Sequence, residues 1–259
     1  MAFAQILAYY SFLTTRINLS KMDFTQPLER IQKLLLKLQN LIDYNDCILC
    51  QSYVESCSAL RLICQTCYQD LIRYPLGYDI LRDNPKLAAN LVNSHYDGLI
   101  AISDYQWPVS HLIHQFKYRH HIYLSEPLAT LLKEQVEQTL WSKLDFICPL
   151  PLHSKRYHKR GFNQAELIGR QLSRTLGIPQ FTGLVRVKAT QSQARLNKKQ
   201  RQDNVKDAFD CAFDLTGKNL VLVDDVITTG STLNQACRVL KQCGAARVYA
   251  AVAAIRPLT

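Results

Sequence analysis

The chain has 259 residues, of which 47% are hydrophobic and 20% charged, and this composition excludes a mainly disordered protein. Polar residues interrupt the apolar runs well short of the roughly 18–20 residues that a membrane helix needs, so we expect no membrane insertion. The net charge is +10, and residues 153–206 hold thirteen Lys or Arg against two acidic residues, which indicates either an anionic partner or a solvated basic surface.

Residues 1–44 are predicted to be an N-terminal extension followed by a helix. The apolar stretch at 2–13 lacks a basic region before it and a small-residue cleavage site after it, so it is not typical of a secretion signal. Apolar residues then recur at spacings of three and four over 27–42, which predicts an amphipathic helix. The nine cysteines do not form the dense framework of a small secreted protein, and we expect a cytoplasmic location.

Residues 45–90 are predicted to be a small zinc-binding module. Five of the nine cysteines lie between positions 47 and 67, and four of them form two Cys-x-x-Cys pairs, Cys47 with Cys50 and Cys64 with Cys67. Two such pairs can complete a tetrahedral Zn²⁺ site, whose closed shell of four sulfurs supports folding rather than catalysis. Redox thiols or buried free cysteines are the alternatives, and Cys57 could replace one ligand.

Residues 91–259 are predicted to form an α/β domain with a largely parallel sheet. A stretch at 78–90 that contains Asn and Pro precedes this domain and indicates the domain boundary. Beyond that boundary, short apolar runs alternate with helical periods. The predicted strands are 99–102, 146–150, 220–223 and 248–255, and the predicted helices include 127–140, one that begins after Asn163 and ends at Gly177, and 232–243.

Aromatic and histidine residues are frequent between positions 105 and 121. His111 and His114 would share a helix face, but no carboxylate stands at a matching spacing, so we do not predict a metal site there. We expect Tyr105 and Trp107 to be core residues rather than stacking platforms.

Two adjacent carboxylates, Asp224 and Asp225, follow the apolar run at 220–223. Open α/β sheets bind ligands at the carboxyl ends of their strands, and neighbouring carboxylates there can hold two neighbouring hydroxyls. The residues that follow include hydroxyl side chains, a glycine and the first amides of a helix, which together suit a phosphate, and they are Val226, Thr228, Thr229, Gly230, Ser231 and Thr232. Carboxylates for a ribose and amides for its 5-phosphate predict a phosphoribosyl site. A solvated strand end with an ordinary turn is the alternative.

A basic segment at 153–161 follows the strand predicted at 146–150, at the same edge of the sheet. Cations there would neutralise a pyrophosphate that leaves the ribose C1, while Asp224 and Asp225 offset the positive charge developing on the sugar. We predict that four side chains of this segment bind the pyrophosphate together with Mg²⁺, and these are Lys155, Arg156, Lys159 and Arg160. Any of the four could instead face water.

Residues 223–232 look like the motif with which type I phosphoribosyltransferases bind phosphoribosyl pyrophosphate (PRPP). From position 46 to 255 the chain resembles the ComF family, competence-associated proteins that join a small zinc module to such a domain. Besides the Asp-Asp loop and the Cys-x-x-Cys pairs, the matching residues are Lys117-Tyr118, positions 148–152, 160–164 and 190–193, Arg201, Asn204 and Ala208-Phe209. The resemblance implies a type I phosphoribosyltransferase fold and a role in natural transformation, acting on incoming single-stranded DNA with a possible helicase partner.

The polar stretch at 190–201 resembles the lid that closes over PRPP in related enzymes. It is basic and rich in glutamine, and its candidate functional residues are Gln191, Gln193, Lys198, Lys199 and Arg201. Such a loop could equally lie along a nucleic-acid backbone. Two hypotheses follow, a phosphoribosyltransferase whose acceptor the sequence does not identify, and a non-catalytic module of the same fold that binds single-stranded DNA and a helicase.

Overall fold

The structure, a computed structural model, describes residues 46–54, 60, 62–91, 94–152, 157, 161–188 and 208–256. Contacts divide the chain into two units, 1–43 and 44–259, and every described residue belongs to the second. The helix predicted at 27–42 therefore lies outside the described residues. The elements in chain order are α1 (Gln65–Gln69), α2 (Ile80–Asp83), α3 (Pro85–Asn90), β1 (Leu99–Asp104), α4 (Val109–Tyr118), a 3₁₀ turn (Ile122–Leu124), α5 (Ser125–Glu137), β2 (Phe146–Pro149), α6 (Gln164–Leu176), β3 (Leu184–Arg186), β4 (Phe209–Cys211), β5 (Asn219–Ile227), α7 (Ser231–Gln242) and β6 (Arg247–Ile255).

Four strands form a parallel sheet in the order β1-β6-β5-β2, which confirms the predicted α/β architecture. The neighbours β5 and β6 pair along their whole lengths, from Asn219 opposite Arg247 to Ile227 opposite Ile255. On the other side of β5, the strand β2 already ends at Pro149, which pairs with Val223. The last four residues of β5 thus extend past β2, and this step at the carboxyl edge of the sheet leaves room for a ligand.

The strand β5 is longer than the sequence predicted. The expected end at position 223 is wrong, because Asp224 and Asp225 are themselves paired residues of the strand, with Asp224 opposite Val252. Backbone pairing does not depend on side-chain polarity, and β6 offers partners over nine residues. The carboxylates therefore belong to a rigid strand rather than to the loop after it.

Helices cover both faces of the sheet, in three layers. Along β5 the side chains alternate, so that Val221 and Val223 pack in one apolar cluster with α4, α5 and α6, and Leu220 and Leu222 in a second with α7. The helix α6 begins and ends as predicted, since the side chain of Asn163 accepts a hydrogen bond from the Ala165 N–H and Gly177 closes the helix in a left-handed conformation.

The segment at 78–90 is more ordered than the sequence predicted, because it forms α2 and α3. Asp79 and Asn84 cap these short helices with their side chains, and Ile80 and Leu87 are buried beside the sheet. Asp79 also accepts hydrogen bonds from the Leu99 N–H and from the indole of Trp141, which joins the segment to the domain. Between α6 and β5, the strands β3 and β4 form an antiparallel pair. None of the helices in the described ranges combines the length and apolar character required to cross a membrane.

Candidate functional site

A cleft of about 240 Å³ opens where β5 extends past β2. The residues that line it come from the ends of α4, β2 and β3, from the start of α6 and from the segment that joins β5 to α7. They are Lys117, Tyr118, Leu150, Leu152, Asn163, Gln164, Ala165, Arg186 and every residue from 224 to 233. All eight residues predicted around the Asp-Asp motif, Asp224 and Asp225 included, therefore line one cavity.

The two carboxylates lie in different environments. Asp225 is 7% exposed, and its Oδ2 atom is 2.9 Å from the Nζ atom of Lys117, so that a buried ion pair joins β5 to α4. Burial raises the pKa of Asp224 to about 7, and the negative charge of Asp225 acts in the same direction. A hydrogen bond of 2.8 Å from the Asp225 N–H and the charges of Lys117 and Arg186 oppose this rise without cancelling it. The site therefore combines a carboxylate in an ion pair with a neighbouring carboxyl group whose pKa is raised toward neutral.

Because the pKa of Asp224 is raised on folding, this residue reduces stability at alkaline pH. Below about pH 4 it is protonated in both states, between pH 4 and 7 only the native state retains the proton, and above pH 7 the buried charge is fully present. We expect Asp224→Asn to raise the melting temperature at pH 8, by roughly 3–6 °C for about 1–2 kcal/mol, and to have little effect at pH 4.5. Thermal denaturation at the two pH values is the measurement.

Asp225→Asn is the matched control for this pH dependence. It leaves the Lys117 ammonium buried without its partner, so it should lower the melting temperature at pH 8. If Asp224→Asn were equally destabilising at pH 8, the raised pKa would be contradicted.

The segment after β5 places hydroxyls and backbone amides at the start of α7. Gly230 stands directly before the helix with φ +76°, and the side chains of Thr229 and Ser231 share a hydrogen bond of 2.8 Å. Thr229 and Ser231 are 1% and 4% exposed, so their positions are set by packing. A helix N-terminus with hydroxyls and a glycine beside it suits an anion such as a phosphate.

Gly230 cannot be replaced without strain. Its φ of +76° is a left-handed conformation, and an added Cβ would lie 3.0 Å from the hydroxyl of the buried Tyr96. We expect Gly230→Ala to destabilise the protein by about 1–3 kcal/mol. Gly177→Ala is the control, because Gly177 has φ +68° and nothing within 4 Å of an added Cβ. Thermal denaturation should show the larger loss for Gly230→Ala, and equal losses would contradict the contact with Tyr96.

The cleft residues that were not predicted as site residues include three with polar or charged side chains from other elements, and they are Lys117, Tyr118 and Arg186. Arg186 lies at the end of β3, with its guanidinium 5.2 Å from the ring centroid of Phe209. The sequence signal for the other two was the Lys117-Tyr118 dipeptide, which carried part of the family resemblance without an assigned role. Only the packing of α4 on the sheet brings Lys117 to Asp225, 108 positions further along the chain.

The predicted basic residues Lys155, Arg156, Lys159 and Arg160 lie outside the described residues, and their role stays a prediction. The same holds for the loop residues Gln191, Gln193, Lys198, Lys199 and Arg201. The residues that flank both segments are described. Leu152 before the first segment and Asn163 after it line the cleft, as does Arg186 shortly before the second.

The four predicted zinc ligands converge. The Sγ atoms of Cys47, Cys50, Cys64 and Cys67 all lie within 4.8 Å of one another, and those of Cys50 and Cys64 are 3.6 Å apart. Sulfurs around a tetrahedral Zn²⁺ are roughly 3.8 Å apart, since each Zn–S bond is about 2.3 Å. Hydrogen bonds from the side chain and backbone of Ser52 lower the pKa of Cys50 to about 6, whereas burial and the neighbouring thiols raise the pKa of Cys67. This donor set fits Zn²⁺.

Two tight turns present these cysteines. In the first, the Cys47 N–H donates to the Ser52 carbonyl and the Gln51 N–H to that of Cys47, and in the second the Cys67 N–H lies 3.5 Å from Cys64 Sγ. Cys57 lies outside the described residues. Among the residues that the structure describes, this quartet is the one group of His, Cys or acidic side chains spaced to hold a metal.

The cysteine quartet is anchored to the helical layer. Leu60 and Ile63 pack in the apolar cluster that contains the buried face of α5. Arg73 forms an ion pair of 2.7 Å with Glu134 of α5, and Gln135 hydrogen-bonds the Gly77 N–H and the Tyr74 carbonyl. Such contacts indicate a structural role, and none of the four cysteines lines the cleft.

Comparison with known proteins agrees with this architecture. A family model described as "Phosphoribosyl transferase domain" matches residues 163–258, which include the segment from β5 to α7. "Competence protein F" of Haemophilus influenzae is 41% identical over 157 residues, 58% of this chain and 69% of that protein. "DNA utilization protein YhgH" of Salmonella typhimurium is 37% identical over 158 residues, 59% of this chain and 70% of that protein. "Competence protein ComFC" of Bacillus subtilis is 33% identical over 115 residues, 42% of this chain and 44% of that protein.

Proposed function

Because this chain belongs to the ComF family, whose fold is that of a type I phosphoribosyltransferase, we propose that its cleft binds PRPP together with Mg²⁺. The observation that carries the proposal is the juxtaposition of Asp224 and Asp225, held in a paired strand, with the hydroxyl and amide groups before α7. No other residues of the described cleft combine acceptors for sugar hydroxyls with donors for a phosphate at so short a separation.

In this proposal the two ends of the site bind different parts of the ligand. Asp224 and Asp225 accept hydrogen bonds from the two ribose hydroxyls, and the segment from Thr228 to Thr232 binds the 5-phosphate. Lys117 neutralises Asp225 in the free protein and lies close enough to the carboxylates to meet a bound anion. Asp224 would lose its proton when a cation approaches, because a nearby positive charge favours the ionised carboxylate.

We further propose that the chemistry is pentosyl transfer. The bond between the ribose C1 and a pyrophosphate oxygen breaks with its electron pair on the pyrophosphate, and an acceptor nucleophile bonds to C1 and releases its proton. Mg²⁺ would supply charge neutralisation for the leaving pyrophosphate. Four basic side chains of the segment at 153–161 would bind the same group, and these are Lys155, Arg156, Lys159 and Arg160. The carboxylates of Asp224 and Asp225 would stabilise the positive charge on the sugar.

The process in which the protein acts is proposed from its relatives. Two relatives are named competence protein F and DNA utilization protein, and these names support a role of this chain in DNA uptake and use. We place this role in the cytoplasm, because the nine cysteines do not form the dense framework of a small secreted protein. We assign residues 45–90 to a structural zinc module and 91–259 to the phosphoribosyltransferase domain.

Single-stranded DNA binding, with a helicase as protein partner, is the second candidate function. The observation that favours it is the excess of thirteen basic over two acidic residues between 153 and 206. Phosphate contacts release counterions, so DNA affinity should fall steeply with salt. Exchanging Lys198, Lys199 and Arg201 for Gln, while Gln191 and Gln193 remain, should reduce that salt dependence, whereas a cleft variant should not.

Calorimetric titration of the zinc-loaded protein with PRPP tests the first proposal. We expect saturable one-to-one binding in the presence of Mg²⁺, binding at least tenfold weaker without Mg²⁺, and weaker binding still for ribose 5-phosphate, which lacks the pyrophosphate. Absence of binding by the wild-type protein in all three titrations would refute the assignment of the cleft to PRPP.

A further inference from the structure

The outer face of α4 carries a row of aromatic rings. Its inner face is apolar and buried through Val109, Leu112, Ile113 and Phe116. The opposite side presents the rings of His111, His114 and Tyr118, and Trp107 in the turn before the helix contacts His111. These four rings, at spacings of four, three and four residues, are here called the α4 aromatic face. Trp107 and Tyr118 are each 59% exposed, so the expectation that Trp107 is a core residue is wrong.

The rings of this face contact one another in two pairs. The ring centroids of Trp107 and His111 are 5.1 Å apart, and those of His114 and Tyr118 are 4.9 Å apart. Within the helix the row runs from His111 to Tyr118, roughly 10 Å along the axis, which is the length of about three stacked nucleotides, and Trp107 extends it at the preceding turn. The rings within the two pairs are tilted by 58° and 47°, so each ring presents its own face and is held in place by its neighbour.

The charge around the face is positive. Residues 105–125 contain no Asp or Glu, and the exposed Arg119 follows Tyr118 directly. At the other end, Arg256 lies over the ring of Tyr105, with its guanidinium carbon 4.4 Å from the ring centroid. The preceding carboxylate, Asp104, accepts a hydrogen bond from the Tyr74 hydroxyl. Aromatic rings flanked by cations are the combination that binds single-stranded nucleic acids, in which bases stack on rings and phosphates meet the cations.

The C-terminal end of the row of rings lies at the cleft. Tyr118 at its end lines the cleft, beside the Lys117 that pairs with Asp225. We propose that the α4 aromatic face binds the unpaired bases of single-stranded DNA and directs the strand toward the mouth of the cleft. The choice of DNA rests on the proposed role in DNA uptake, whereas the position of the surface rests on the exposure, spacing and charge of these rings.

Fluorescence anisotropy with a labelled oligothymidylate of twelve nucleotides tests this surface. We expect the double variant Trp107→Ala/His114→Ala to bind the oligonucleotide at least tenfold more weakly than the wild type, because stacking on one aromatic side chain contributes that much per base. The salt dependence of binding should be unchanged, since no phosphate contact is removed. His114→Ala alone changes an exposed side chain and should weaken binding severalfold in a folded protein.

Phe213→Ala is the matched control, because Phe213 is 57% exposed but follows β4 and contacts the ring of Phe181 rather than the α4 aromatic face. It should bind like the wild type, and PRPP titration of the Trp107→Ala/His114→Ala variant should be unchanged. Affinity within twofold of the wild type for the double variant, or no oligonucleotide binding by the wild type, would overturn the inference. Neither result bears on PRPP binding, so failure of this proposal is distinguishable from failure of the proposed function.

Intrinsic fluorescence provides a direct readout at the surface itself. The chain has two tryptophans, and Trp141 is stacked on Tyr249 at 4.4 Å with its indole N–H bound to Asp79. Quenching by added oligothymidylate should therefore come from Trp107. Trp107→Phe should lose the quenching and still bind, because it retains an aromatic ring. Undiminished quenching in Trp107→Phe would place the DNA elsewhere and overturn the inference.

Discussion

Replacing both Asp224 and Asp225 with Asn is expected to abolish detectable PRPP binding. Each carboxylate would accept a hydrogen bond from one ribose hydroxyl, and a hydrogen bond to a charged group contributes about 1.5–3 kcal/mol. The loss of two such bonds weakens binding by roughly a hundredfold to ten-thousandfold. Calorimetric titration with PRPP and Mg²⁺ is the measurement, and the variant should show no saturable heat at concentrations that saturate the wild type.

Two controls distinguish a lost ligand contact from a damaged fold. The melting temperature of the double variant should stay near that of the wild type at pH 8, because removing the buried charge of Asp224 stabilises while the loss of the pair between Asp225 and Lys117 destabilises. Asp210→Asn exchanges an exposed carboxylate on β4 and should bind PRPP normally. If the double variant bound PRPP with unchanged affinity, the ligand would lie outside this cleft.

Replacing Cys64 with Ser is expected to remove the zinc and to lower the melting temperature by on the order of 10 °C. Cys64 is buried, its Sγ atom lies 3.6 Å from that of Cys50, and its sulfur also caps α1. Three thiolates hold Zn²⁺ far more weakly than four, so the turns that carry Leu60 and Ile63 would loosen from α5. Metal analysis of the purified protein together with thermal denaturation measures both effects.

Other cysteines provide matched controls for the zinc site. Cys211→Ser alters a thiol on β4, outside the quartet, and should retain one zinc per chain. Cys57→Ser should also retain it, because the four converging sulfurs already complete the tetrahedron. Stoichiometric zinc in Cys64→Ser, or its loss in Cys57→Ser, would contradict the ligand set. A chelator should destabilise the wild type and leave the melting temperature of Cys64→Ser unchanged.

The features of the candidate site that could be predicted from the sequence are those formed by residues close together in the chain. The segment from Asp224 to Thr232 was predictable because its chemistry lies in consecutive residues, all of which line the cleft. The cysteine quartet was predictable from two tight turns whose spacing is a local property. The end of β5 could not be predicted in this way. The last residues of this strand pair with β6, about 28 positions further along the chain, and this backbone pairing does not depend on their polarity.

By itself, the sequence determined the alternation of strands and helices, the parallel sheet, the consecutive residues from Asp224 to Thr232 that line the cleft and the four cysteines that converge, because periodicity, capping and turn spacing act between near neighbours in the chain. Only the tertiary structure decided that Lys117 pairs with Asp225, that Arg186 lines the cleft, and that the rings of α4 form an exposed row leading to it. These contacts join residues on separate elements, and the sheet order and the packing of helices on both faces determine which elements meet.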